Sequence, residues 1–302
     1  MVIKERKTGV DLAVELCGIP LETPLVPASG TLSKEALGEV EGVYGAILPK
    51  TTTPEARVGN PPPRVAETPA GMVNSIGLQN RGVEQFLREL DAFDLDVPLF
   101  VSVAGETVEE FGTLCERLSG YGRVSAVELN LSCPNVDCGG LTFCATAASV
   151  EEVVAACRAA FPGKPIFAKL TFEGVVENAL AAEAAGADAL TVMNTVPALT
   201  VDAHRRSVLV RGGLSGPAIK PVALRAVYDV SRAVGVPVLG SGGVMSGLDV
   251  AEFMLAGATV VQVGTASFVR DPKEILDEFA NYLDEEELGA ADLTGGLQEI
   301  PG

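Results

Sequence analysis

The stretch Ile166–Thr195, IFAKLTFEGVVENALAAEAAGADALTVMNT, decides how the chain is read. It opens on a short apolar run, continues as an Ala- and Glu-rich helical stretch over Val175–Ala185, and reaches a second apolar run at Ala189. Gly186 fits a helix C-cap, because glycine tolerates positive φ, and a strand follows it directly. Strand, helix, strand is the repeating unit of a parallel α/β fold. The same junction recurs in outline at Ala256-Gly257-Ala258-Thr259-Val260.

Working outward, the sequence offers strands beginning near Leu25, Ala46, Leu99, Ala126, Ile166, Ala189, Val238 and Val260. Further helices are expected over Thr107–Leu118, Val150–Ala160, Pro217–Val234 and Gly247–Ala256. This set predicts an α/β fold, a single (βα)8 TIM barrel spanning 1–302. A doubly wound open sheet is the alternative, but its Gly-x-Gly-x-x-Gly fingerprint is absent after the first strand. Four intervals between strand starts run 21 to 27 residues, whereas the other three take 53, 40 and 49. In the long ones the extra residues come straight after a strand's carboxyl end, at Lys50–Gln79, Cys133–Ala147 and Thr195–Ser215. Barrels of this kind build their sites at that face. The tail 284–302 begins with Asp284-Glu285-Glu286-Glu287 and is expected to be a helix end and a loose terminus.

Composition narrows the function classes. A formal charge of −18 excludes a basic nucleic-acid surface. Lysine supplies only 8 of the 22 basic residues, which fits either a salty surrounding or a plain solubility device. No run approaches the ~18 apolar residues of a membrane span. Met1–Lys7 carries charge with no apolar stretch behind it, so a cytoplasmic protein is expected. Six cysteines among 302 residues make no disulfide framework. Cys133, Cys138 and Cys144 match no zinc or ferredoxin spacing, and no metal is expected on this chain.

Several residues carry chemistry at the strand ends. Leu239-Gly240-Ser241-Gly242-Gly243-Val244 and Val263-Gly264-Thr265-Ala266 follow the last two strands. Glycines there let backbone amides approach a phosphate, although tight turns alone would also explain them. Gly212-Gly213-Leu214-Ser215-Gly216-Pro217 reads as a helix start that adds amide donors. Lys50 and Lys169 each end an apolar run, where they either meet an anionic group or point outward. In the fourth strand, alternation sends Glu128, Asn130 and Ser132 to one face. Pro134 then stops the strand, and Cys133 beside it is either a proton acceptor or inert. Asn74, Asn130, Asn135 and Asn194 gather at the same barrel end, as a planar ligand edged with carbonyls and N–H groups would require.

These residues resemble the class 1 dihydroorotate dehydrogenases from Leu12 to Leu297. The matching blocks are Pro27-Ala28-Ser29-Gly30, Lys50-Thr51-Thr52-Thr53 with Arg57–Arg64, Asn74–Asn80, Asn130–Val136, Leu214–Pro221 and the two phosphate turns. The resemblance implies tightly bound FMN held by Ala28, Ser29, Lys50, Thr51, Asn130, Lys169, Gly216, Gly242, Gly243, Gly264 and Thr265. It implies a dihydroorotate site made of Lys50, Asn74, Gly77, Leu78, Asn130, Asn135, Asn194 and Thr195. Cys133 takes the position of the catalytic base, and the product is orotate, an intermediate in UMP synthesis. Thr51-Thr52-Thr53 and Ile76–Gln79 look more like the NAD-linked (1B) catalytic subunit than the fumarate-linked form. A related FMN dihydropyrimidine dehydrogenase is a further alternative. The NAD-linked resemblance implies a homodimer joined to a second subunit that carries FAD and a 2Fe–2S cluster, giving a heterotetramer. Two departures stand out: Arg81 where the family commonly has Pro, and a shortened stretch from His204 to Gly213. His204 is expected to be a solvent residue.

Overall fold

Leu99–Val103 and Ile166–Leu170 are buried at every position, which a strand covered by helices outside and by side chains inside requires. In a computed structural model that describes residues 9–32, 41–90, 96–131 and 143–298, such strands curl into a barrel. The chain starts with an antiparallel hairpin, β1 (Val14–Leu16) and β2 (Ile19–Leu21), followed by the first barrel strand, β3 (Leu25–Pro27). Next come β4 (Val65–Thr68), β5 (Gly71–Asn74), α1 (Val83–Arg88), β6 (Leu99–Val103), α2 (Val108–Ser119) and β7 (Val124–Asn130). The middle holds α3 (Ala147–Ala160), β8 (Ile166–Leu170), α4 (Val175–Ala184), β9 (Ala189–Val192), β10 (Val196–Asp202) and β11 (Ser207–Ser215). Then follow α5 (Lys220–Ala233), β12 (Val238–Ser241), α6 (Gly247–Leu255), β13 (Ala258–Val263) and α7 (Pro272–Glu286).

Seven strands form one parallel sheet in the order β3-β13-β12-β9-β8-β7-β6. The eighth barrel position, expected as a strand from Ala46, is present only as isolated bridges. Ile47 pairs with Leu99 and Thr52 with Val103. It nevertheless joins the two sheet edges, since Gly45 N donates to Leu25 O at 2.9 Å and Ile47 N to Pro98 O at 2.9 Å. Gly45 has no room for a side chain, because a Cβ there would lie 2.2 Å from Thr23 O. The architecture is the expected α/β TIM barrel.

Two of the long insertions are not loops. β4, β5, β10 and β11 form a four-stranded antiparallel sheet in the order β10-β11-β5-β4. It rests on its own small apolar cluster of Ala66, Val73 and Val210. The helix expected from Pro217 begins instead as a 3-10 turn over Pro217–Ile219 and becomes α5 at Lys220. The segment after α7, expected to be loose, is anchored as far as the described residues go. Ala290 and Leu293 are fully buried, Ala290 N donates to Asp11 O at 2.9 Å and Gly295 N to Met254 O at 3.0 Å. These two buried side chains and the backbone hydrogen bonds offset part of the ordering cost that the Gly-rich composition implied.

Candidate active site

The carboxyl ends of the barrel strands open onto a cavity of about 480 Å³. At the ends of β12 and β13 its wall is backbone. Gly242, Gly243, Gly264 and Thr265 all line it. Gly242 has φ +128 and Gly243 φ +87, and a Cβ on Gly243 would lie 2.8 Å from Gly216 O and 2.7 Å from Lys220 Cβ. The turn therefore packs tightly behind, and its two glycines present only backbone to the cavity, the arrangement a phosphate needs. Gly216, at φ +91, lines the same cavity, and its Cβ would lie 2.7 Å from Gly71 Cα.

The turn is braced from outside. Asp249, at the start of α6, accepts from Met245 N at 2.7 Å and Ser246 N at 2.8 Å, and pairs with Lys220. Glu252 also pairs with Lys220, at 2.5 Å. Burial pushes the Asp249 carboxyl up, but Lys220 and the amides offset this and hold it below its ordinary range. Arg270 donates to Met245 O at 2.7 Å and Glu278 accepts from Gly247 N at 2.9 Å, closing the other side.

Side chains crowd the rest of the wall. Lys50 and Thr51 follow the Ile47 bridge, Asn130 ends β7, and Asn194 and Thr195 follow β9; all five line the cavity. Asn194 Nδ2 donates to Asn130 Oδ1 at 3.2 Å, and Asn130 Nδ2 to Thr51 Oγ1 at 3.4 Å. Thr51 Oγ1 in turn lies 2.9 Å from Ser102 Oγ. Asn74 ends β5, where the mouth sheet pairs it with Gly213, and its Nδ2 donates to Gly213 O at 3.4 Å. Ala28, Ser29 and Leu78 also face the cavity. The two lysines differ: Lys50 is exposed, and Lys169 is buried.

Beneath Lys169 lies a polar layer that crosses the barrel. Lys169 Nζ donates to Gln262 Oε1 at 3.1 Å and Ser29 Oγ at 3.3 Å, and forms an ion pair with Glu128 at 3.5 Å. Glu128 Oε2 also accepts from Gln262 Nε2 at 2.7 Å and Thr191 Oγ1 at 2.9 Å. Alternation along the fourth strand had already put Glu128 on the face of Asn130. Nothing local in the sequence reveals Gln262, 134 residues away, as its partner.

Cys133 and Asn135 lie outside the described residues. Gly77 is described but, unlike Leu78, is not among the cavity's lining residues; a Cβ there would lie 2.5 Å from Asn60 Oδ1, so it serves the turn. Met72, Ile76, Met193, Ser215, Ile219, Ser241 and Phe268 line the cavity and were not singled out from sequence. Ser241 sat inside a motif read for its glycines, and Ser215 inside one read as a helix start. His204 is exposed in the β10–β11 turn, its N donating to Asp202 Oδ1. Cys17 lies near the barrel's other end, where burial first and Asp188 second push its thiol up to about 12.

Fold and site together define an α/β-barrel protein whose site lies at the carboxyl ends of the strands and joins an amide cradle to a lysine- and asparagine-lined recess. The family model for dihydroorotate dehydrogenase matches residues 11–283, and the chain belongs to that family. It is 44% identical over 313 residues to the dihydroorotate dehydrogenase B (NAD(+)) catalytic subunit of Desulforudis audaxviator (strain MP104C), covering 95% of this chain and 99% of that protein. The protein of the same description from Geotalea uraniireducens (strain Rf4) is 45% identical over 296 residues, covering 94% and 96%. Among solved structures, the dihydroorotate dehydrogenase of Eimeria tenella in complex with ferulenol superposes with a TM-score of 0.82, covering 98% of this chain and 91% of that one. At 23% identity that match speaks for the fold alone. No helix among the described residues is long and apolar enough to cross a membrane.

Proposed function

We propose that the chain is the FMN-dependent catalytic subunit of an NAD-linked dihydroorotate dehydrogenase, oxidising (S)-dihydroorotate to orotate in pyrimidine biosynthesis. The observation that carries this reading is that one cavity is lined both by the backbone cradle of Gly242, Gly243, Gly264 and Thr265 and by Lys50, Asn74, Asn130, Asn194 and Lys169. The donor set fits FMN: the glycine turns with the neighbouring Ser241 and Thr265 for a phosphate, and polar groups at Ala28–Ser29, Thr51, Asn130 and Lys169 for a ring edge. Bound FMN would supply the acceptor for a hydride from the substrate.

This chain's residues would do the rest. The exposed ammonium of Lys50 attracts the substrate carboxylate. Asn74, Asn130 and Asn194 each offer a donor and an acceptor to the ring's amide edges. Lys169 presents positive charge where an anion develops, which favours the transition state over the ground state. Cys133 is proposed as the base that removes the proton from the saturated carbon next to the ring carbonyl. Asn135 is proposed as a further substrate contact. The relatives' description as a catalytic subunit supports a partner, proposed to carry FAD and a 2Fe–2S cluster and to join a homodimer of this chain.

The test is anaerobic mixing of purified protein with dihydroorotate or dihydrouracil. Bleaching of a yellow protein by dihydroorotate alone is expected, with reoxidation by NAD only when the partner subunit is added. Protein that stays colourless with added FMN overturns the reading, and rapid reoxidation by fumarate overturns the NAD linkage. Cys133→Ala is expected to slow bleaching by ~10²–10⁴-fold with FMN retained, as loss of a positioned base does. An unchanged rate removes Cys133 from the mechanism.

A further inference from the structure

The barrel interior holds a charge that the proposed reaction does not use. Glu128 on β7 has no exposed surface, and carboxylates are rarely buried without partners. Its two oxygens divide their work. Oε2 is held by Gln262 Nε2 from β13 and Thr191 Oγ1 from β9, which leaves Oε1 facing Lys169 Nζ on β8. Gln262 reinforces this polarity, since its Nε2 donates to Glu128 while its Oε1 accepts from Lys169. Of this group Lys169 lines the cavity, whereas Glu128, Gln262 and Thr191 do not. Four strands thus hold one carboxylate directly behind the one buried cation of the described cavity wall.

Such a carboxylate does two things. It fixes where the ammonium sits, because a four-carbon stem is otherwise free to swing. It also subtracts from the positive potential that the ammonium projects into the cavity. In a low-dielectric interior that subtraction is poorly screened. The potential at this wall bears on any ligand that gains negative charge there, as a flavin does on taking up a hydride.

We infer that Glu128 is a positioning residue that acts through Lys169 to lower the reduction potential of the bound flavin, keeping the reduced form able to pass its electrons on. The inference rests on the FMN reading above. Lys169 alone would stabilise the reduced flavin more strongly than the enzyme needs, and Glu128 restrains it.

The test is the midpoint potential of the FMN-loaded protein at fixed pH, by dye equilibration, for wild type, Glu128→Gln, Lys169→Met and the double variant. Glu128→Gln keeps the shape and removes the charge. Its oxidised-to-reduced equilibrium is expected to shift at least tenfold toward the reduced form, ~30 mV for a two-electron couple. In the Lys169→Met background the same change is expected to have little further effect, because a fully buried carboxylate stripped of its cation is too costly to keep charged and has little charge left to remove. A merely structural role for Glu128 would not depend on Lys169 in this way. A folded, FMN-loaded Glu128→Gln protein with unchanged potential overturns the inference, as does an equal shift in both backgrounds. If Glu128→Gln fails to fold, Gln262→Glu places a second carboxylate beside Lys169 and must move the potential the opposite way; no movement overturns the inference. Wild-type protein that binds no FMN overturns the flavin reading, and this inference with it, and so is distinct from a null result in a yellow variant.

Discussion

Lys50 and Lys169 looked alike in sequence, each a cation closing an apolar run, yet they occupy opposite environments. Lys50 stands exposed at the cavity, and Lys169 is buried against Glu128, Gln262 and Ser29. Position along a strand reveals that a lysine reaches the barrel mouth. It does not reveal what stands opposite, because that residue comes from another strand. The glycines are more legible singly, since their chemistry is conformational. Gly243 combines φ +87 with neighbours 2.7 to 2.9 Å from where a Cβ would be. Gly243→Ala is therefore expected both to strain the turn, by about 1–2 kcal/mol for the left-handed backbone alone, and to push the cradle outward. FMN affinity should fall at least tenfold, read by quenching of flavin fluorescence on titration into apoprotein. An unchanged affinity would mean that the amides of this turn do not hold the phosphate.

At the scale of elements, the parallel strands were legible because each is a short, buried and mostly apolar run, and the mouth sheet was not. β10 alternates half-buried and exposed positions and contains Pro197, which argues against a strand on local grounds. β4 and β5 have four residues each, and β5 takes its other partner, β11, from distant sequence. Only the approach of β11 to β5 turns these insertions into a wall that carries Asn74. That approach depends on Gly212, where a Cβ would lie 2.0 Å from Asn74 O and 2.6 Å from Asn74 C. Gly212→Ala must part the two strands, so the KM for dihydroorotate is expected to rise tenfold or more with FMN content unchanged; an unaltered KM would detach Asn74 from substrate binding. A second joint links α5 to α6 through Lys220, Asp249 and Glu252. Burial pulls Lys220 down, yet its two carboxylates leave it raised, while Asp249 is lowered below 3.8. A lowered carboxyl contributes stability that is complete above its unfolded value and lost as pH falls through the folded one. Lys220→Met should cost about 1–3 kcal/mol at pH 7, the penalty for leaving a half-buried acceptor without its donor. In urea titrations the gap to wild type should close below pH 3.8. A gap that does not narrow at all as pH falls below 3.8 would assign the loss to packing of the lysine stem instead.

Across the whole molecule the charge of −18 opposes the compact state, since 40 acidic residues share 22 lysines and arginines. Several cations on the described surface are already committed, among them Arg270 to Glu274 and Glu278 and Lys220 to Asp249 and Glu252, and the acids outnumber the cations that remain. Repulsion between exposed charges is screened over a Debye length that shrinks from about 30 Å at 0.01 M salt to about 3 Å at 1 M. The ion pairs weaken over the same range, but exposed pairs contribute only about 0–1 kcal/mol each. The excess of like charges therefore decides the sign, and the melting temperature is expected to rise with NaCl from 10 mM to 1 M. Each kcal/mol of relieved repulsion raises it by roughly 2 °C in a chain of this length. Sodium sulfate strengthens apolar burial as well as screening, so scans in NaCl and in sulfate of equal ionic strength separate the two causes. Equal gains in both salts indicate screening, and a gain in sulfate alone would show that the acidic surface costs the fold nothing. Incomplete folding at 10 mM, with recovery in salt, would favour adaptation to salty surroundings over a plain solubility device. The composition left those two readings level.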